Sequence, residues 1–217
     1  MSEQGVTDDQ MRAITEGIHA VLNVAQQKMP IYDFGHWRHT QWRDNGQLRP
    51  FHSVDWYLER AQEESDRAEQ LNADTLLNLL AMEPWRNPDE GGQRHYDVVV
   101  LQSDLYSGSD NNRFIIGGAY PDLGAAISVN RFQGLEPSLQ FDCIVTETIH
   151  EMGHVFGLIP PGRQRNVEES LGKHCTNVCS MRQGVNVPMD WIRFTRDRLQ
   201  QGPFCTDCEQ DLRGFFA

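Results

Sequence analysis

Apolar residues recur every three or four positions along "TDDQMRAITEGIHAVLNVAQQ", residues 7–27, and put Met11, Ile14, Ile18, Val21, Leu22 and Ala25 on one face. That period predicts an amphipathic helix with Thr7 or Asp8 as its N-terminal cap. Residues 31–58 are rich in Trp, His and Asp and show no period. His36 and His39 stand there three apart, but "FGHW" opens a helix poorly, so both read as surface or packing residues. Periodicity returns over 59–82, predicting a second helix that buries Leu71, Leu76, Leu77 and Leu80.

After the loop "EPWRNPDEGGQRH" the pattern changes kind. "YDVVVLQSDLY" is an apolar, β-branched run suited to an inner strand. "RFIIGGAY" and "AAISVNRF", separated by "PDLG", predict two more strands, with Gly117 and Gly118 marking a bulge or a close backbone approach. "SLQFDCIVTETIHEMGHVFG" is helical, and the polar remainder holds one amphipathic piece, "MDWIRFTRDRL". The order of elements suits a single α/β domain over residues 1–217. Residues 1–158 would form a sheet-and-helix part and residues 159–217 a C-terminal part.

Composition narrows the partners. A net charge of −12 disfavours nucleic acid and anionic membranes. The start, "MSEQGVTDDQ", lacks the basic-then-apolar pattern of a signal peptide, and no apolar run is long enough to span a bilayer. A soluble cytoplasmic protein is expected. Four of the five cysteines fall in close pairs, Cys175/Cys179 and Cys205/Cys208, which in a reducing compartment suggests metal more than disulfide. Cys143, on the apolar side of a helix, reads as a buried and unreactive thiol.

The chemistry concentrates at "TIHEMGHVFGLIPPG". On a helix, His150 and His154 at i and i+4 project from one face and can meet one zinc ion at about 2 Å from each nitrogen. Glu151 stands beside the metal as a general base for a zinc-bound water whose pKa falls to roughly 7. Gly157 suits the left-handed turn that ends such a helix. A third ligand must follow, and the candidates are His174, Glu168 and Glu169, the two glutamates being the arrangement of a gluzincin-like hydrolase.

His174 opens "HCTNVCSM", and "CTDC" follows at 205–208. With HExxHxxG before them, these segments resemble the archaemetzincins, metzincin-type zinc peptidases whose signature runs HExxHxxGxxHC-x4-CxM and ends in CxxC. The likeness extends upstream through "AEQLNADTLLNLL" and "SDLYSGSDNNRFIIGGAYPDLGAAISVNRF", covering about residues 68–210. It implies a metzincin-like domain with a mixed twisted sheet, an active-site helix and a zinc-knit C-terminal part. His150, His154 and His174 would bind a catalytic zinc with Glu151 as base. Cys175, Cys179, Cys205 and Cys208 would bind a structural zinc, and Met181 would form the turn beneath the catalytic metal. The partner would be a peptide, laid along an edge strand at about Phe114–Tyr120.

Three departures accompany the likeness. Sixteen residues separate Gly157 from His174 where the family has two, the first cysteine pair is spaced x3 instead of x4, and the stretch from Met181 to Cys205 is longer. Lengthening the loop adds only about 2 kcal/mol of closure entropy, against roughly 10 kcal/mol for a structural zinc. The expectation is therefore that the insertion bulges outward as a loop, and that the x3 cysteines share a metal from one helical turn. Zinc-dependent peptide hydrolysis is the leading expectation. A zinc-binding module that keeps both metals without catalysis is the alternative.

Overall fold

The computed structural model describes the chain apart from residues 37–41, 45, 46, 50–52, 84, 85, 87–93, 109–113, 170 and 171. His39 lies outside the described residues. In chain order the elements are α1 (Asp8–Ala25), β1 (Trp42–Asp44), β2 (Gln47–Arg49), α2 (Val54–Glu63), β3 (Gln70–Asn72) and α3 (Ala73–Ala81). Then come β4 (Asp97–Leu101), β5 (Asp104–Tyr106), β6 (Gly117–Tyr120), β7 (Gly124–Ser128) and α4 (Pro137–Val155). The chain ends with β8 (Val167–Glu168), β9 (His174–Cys175), α5 (Met189–Gln201) and α6 (Thr206–Phe215). It is an α/β fold with small mixed sheets. None of the described helices is long and apolar enough to cross a membrane.

Two compact units divide the chain, Met1–Val6 with Tyr32–Asn130, and Thr7–Ile31 with Arg131–Ala217. In the first, β7 lies between β4 and β6, parallel to β4 and antiparallel to β6. The inner strand β7 is buried at all five positions, and Val99, Val100 and Leu101 of β4 are buried too. Strands that lose both faces to packing need such unbroken apolar runs. Strands β4 and β6 flank β7, and β3 pairs in parallel with β5. Leu71, Leu76, Leu77, Leu80, Val99, Leu105 and Ala126 share one core.

The predicted helix over 59–82 is two helices with a strand between them. Ser65 Oγ donates to the carbonyls of Arg67 and Gln70, 2.8 Å each, and accepts from Arg67 N. A serine that satisfies backbone groups outside a helix competes with helix formation. Asn72 then restarts the chain by capping α3, accepting from Asp74 N and Thr75 N. Close by, Arg86 neutralises a buried acidic pair. It donates to Asp97, lies 3.6 Å from Glu83 Oε2, and also donates to the carbonyls of Leu80 and His95. Glu83, His95 and Asp97 have ligand-type atoms within 4.8 Å of one another. Arg86 supplies a cation to that group.

In the second unit α1 begins with a reciprocal cap, Thr7 Oγ1 accepting from Gln10 N and Gln10 Oε1 from Thr7 N. It packs on α4, most closely at Gly17, where an added Cβ would stand 2.5 Å from Thr148 Cβ. Helix α4 is buried continuously from Cys143 to Gly153 because α1 and α5 cover it. Cys143 is fully buried there, and burial pushes its thiol pKa up, as an unreactive thiol requires. The tail is more regular than its polar composition predicts. Phe204, Cys208 and Leu212 are buried around and within α6, a short apolar set that the charged residues mask in sequence.

Gly17→Ala is expected to destabilise the protein by about 1–3 kcal/mol, since a methyl there overpacks a helix contact. Gly214→Ala, in α6 with nothing within 4 Å of its added Cβ, is expected to be neutral or to stabilise by up to about 1 kcal/mol. Urea midpoints of the two variants check the contrast.

Candidate metal centres

Helix α4 starts at Pro137, with Glu136 accepting from Ser138 N and Leu139 N, and runs without a break to Val155. That length carries His150 and His154 on one face near its end. The helix stops at Gly157, whose φ of 69° lies in the left-handed region. Leu158 N donates back to Gly153 O at 2.9 Å, closing the end as a left-handed cap does. A side chain at Gly157 would also meet Phe215 Cδ2 at 3.0 Å.

His174 arrives on β9, which pairs antiparallel with β8 so that Glu168 faces His174 and Val167 faces Cys175. The three imidazoles form a near-equilateral set, with centroids 4.8 Å (His150–His154), 5.2 Å (His150–His174) and 5.1 Å (His154–His174) apart. Their ligating nitrogens lie within 4.8 Å of one another. Glu168 and Glu169 are not part of this group. The Glu169 carboxylate, exposed, pairs with Lys173 at 3.2 Å.

His150 Nδ1–H donates to the carbonyl of Ser180 at 2.8 Å, which leaves Nε2 as the bare lone pair. Burial, with the neighbouring His174 adding to it, drives its pKa down to about 3, and the hydrogen bond to Ser180 opposes them only in part. Burial also lowers His154, with His150 and His174 adding to it, and burial lowers His174. Neutral, buried, converging imidazoles are what a divalent metal needs and what a proton is denied.

Glu151 is 5% exposed beside this group. Burial raises its pKa well above the ordinary range, and the Glu147 carboxyl one helical turn earlier adds to the rise. Glu147 is itself fully buried, and burial pushes it up to about 8 although Trp191 Nε1 donates to its Oε2 at 2.5 Å. Sequence reasoning missed Glu147. The i, i+4 spacing in "ETIHE" was the signal that placed it beside Glu151. Met181 is fully buried, and its Sδ would stand 2.4 Å from a Cβ on Gly153, so its thioether lies directly against the α4 backbone between the two helical histidines.

Cys175, Cys179, Cys205 and Cys208 form a second group, their sulfurs all within 4.8 Å of one another and all free thiols. Cys175 Sγ and Cys205 Sγ are 3.7 Å apart, close to the edge of about 3.8 Å of a tetrahedron with metal–sulfur bonds of about 2.3 Å. The x3 pair does not use a helical turn. Cys175 ends β9 and the chain bends through 177–179 to bring Cys179 back, with Cys175 N donating to Met181 O at 2.8 Å. Cys208 comes from the first turn of α6 and Cys205 from its cap position.

No family model matches the chain. Over 121 residues it is 31% identical to the protein named archaemetzincin of Nanoarchaeum equitans, a match over 55% of this chain and 54% of that one. The chain thus spans just over half the length of the curated relatives it matches. In fold it is similar to the archaemetzincin of Archaeoglobus fulgidus (TM-score 0.52, 19% identity, 97% of this chain and 96% of that one). It is also similar to the zinc-dependent peptidase of Methanocorpusculum labreanum (TM-score 0.51, 21% identity, 97% of each).

Trp191→Phe is expected to cost at least about 1–3 kcal/mol, because it leaves the buried Glu147 carboxyl without its donor. Adding Glu147→Leu should cost less than the sum of the two single changes, since the Trp191 N–H and the Glu147 carboxyl are then removed together. A double-mutant cycle by chemical denaturation reads the difference.

Proposed function

We propose that this chain is a zinc-dependent metallopeptidase of the archaemetzincin kind, with Glu151 as general base, a reading that the likeness to named archaemetzincins supports. The observation that carries this reading is the buried triangle of neutral imidazoles, His150, His154 and His174, with Glu151 beside it. Three nitrogen donors suit zinc and leave a fourth position open, as a catalytic site needs, where a purely structural site would close it. Bound there, zinc would supply a Lewis acid that polarises a peptide carbonyl and acidifies water to a pKa of roughly 7.

The remaining steps belong to the protein. His150 is held in one tautomer by Ser180, so its Nε2 faces the group without a competing proton. Glu151, raised in pKa by burial and by Glu147, is a strong proton acceptor once ionised. A dication among the rings favours that ionised form. The carboxylate would take the proton of the attacking water and return it to the leaving amine. The substrate would be a peptide.

The four cysteines fit a second, structural zinc by donor chemistry and by the 3.7 Å sulfur spacing. Two zinc ions per chain, with distinct roles, follow from this reading.

Glu151→Gln is expected to lower peptide hydrolysis by about 100-fold or more while zinc content stays at two per chain. Equal cleavage of a peptide library by both forms would remove Glu151 from the base role. Absence of cleavage by either form, with both zincs bound, would favour a non-catalytic zinc-binding module. His174→Ala is expected to reduce zinc from two per chain to one, while Glu168→Ala and Glu169→Ala keep two. Metal analysis after dialysis distinguishes these variants.

A further inference from the structure

Pro161, Gly162, Gln164, Arg165 and Asn166 of the insertion are exposed, but the segment is anchored at several points. Ile159 N donates to Asp211 Oδ2 at 3.3 Å, β8 pairs with β9, and Arg163 turns inward until its side chain is only 5% exposed. There the guanidinium meets the sulfur group. Nη2 donates to Cys175 Sγ at 3.2 Å and Nη1 donates to Cys208 Sγ at 3.3 Å. Nη1 also pairs with Asp211 Oδ2 at 2.7 Å, and Nη2 lies 3.8 Å from Asp207 Oδ2. Nε donates to the carbonyl of Arg165, and Nη2 reaches that of Asn166.

The other two sulfurs also receive N–H donors, Cys205 from Asn177 Nδ2 at 3.3 Å and Cys179 from Met181 N at 3.4 Å. Every sulfur is therefore an acceptor, as thiolates are. Four thiolates around a dication leave two negative charges, and Asp207 and Asp211 beside them add two more. Holding that charge out of water is costly unless a cation with donors shares the site. Arg163 has the right form for this, a planar fork whose two arms reach sulfurs from different elements, β9 and α6.

We propose that Arg163 is the counter-cation and clamp of the four-cysteine metal site. Its two N–H···S bonds offset the thiolate charge and fasten residues 158–173 to the metal centre, so the insertion is part of that centre and not a cover over the three histidines. The proposal rests on the reading of the cysteines as a zinc site. Arg163 is a positioning residue, acting through Cys175 and Cys208.

The test uses the full chain loaded with zinc, and the same chain with cobalt in its place. Arg163→Met keeps the bulk and removes both charge and donors, and Arg163→Lys keeps the charge alone. Competition with a chromophoric chelator should show cysteine-site zinc affinity falling about 10- to 100-fold in Arg163→Met, with partial recovery in Arg163→Lys. The sulfur-to-cobalt charge-transfer band should move to lower energy as the sulfurs lose their donors, a signature that loss of packing alone does not produce. Zinc at the three histidines should be unchanged. Affinity within twofold of the unmodified chain and an unshifted band would overturn the proposal while leaving the zinc site standing. Should Arg163→Met not fold, Arg163→Lys carries the test: a severalfold loss and a band shift support the proposal, and unmodified values overturn it. An unmodified chain that holds no zinc on its cysteines would overturn the metal reading and the proposal with it.

Discussion

Eight consecutive residues, His174 to Met181, bind both candidate metal groups, and the second unit is organised by that short span. His174 points to the imidazole triangle while its neighbour Cys175 points to the sulfur group. Cys179 returns to the sulfurs, Ser180 presents its carbonyl to His150, and Met181 lies against Gly153. The span is closed by one backbone bond, Cys175 N to Met181 O. The same short span thus carries one imidazole of the triangle, the acceptor that sets the tautomer of another, and two sulfurs. On the proposed reading, a structural metal would stiffen the backbone that positions a catalytic one.

Close backbone approach is the second constraint. Gly153 and Gly17 both stand where a methyl group would collide, one with Met181 and the other with Thr148. These contacts exclude water from the end of α4, and exclusion of water drives the local electrostatics. The imidazoles are kept neutral and the carboxyls of Glu147 and Glu151 are pushed upward chiefly by desolvation. Groups that favour a bound dication and a ready proton acceptor thus arise from one cause, burial of the HExxH turn.

The inserted residues show how a long loop can be kept without loss of order. Closure entropy penalises a loop of sixteen residues in place of two only weakly, but the chain does more than tolerate it. It gives these residues a ladder, β8 with β9, an internal ion pair in Arg163–Asp211, and contacts to two sulfurs. Within a segment expected to loop outward, the Arg163 side chain lies against the sulfur group.

How much of this was legible in the sequence depended on distance along the chain. The α1 face, its Thr7 cap, the apolar runs of β4 and β7, the full course of α4 and the spacing of His150, Glu151 and His154 are local patterns, set by helical and strand geometry. The cysteine pairs were visible as pairs. What they share with His174 was legible only through resemblance to a family, because no local rule joins residues twenty or more positions apart. The bent course from Cys175 to Cys179, the acceptance of the His150 Nδ1–H by Ser180 O and the inward turn of Arg163 were decided by tertiary structure. The last two depend on a backbone carbonyl and a long flexible side chain finding partners far away in sequence, and composition carries no trace of such a choice.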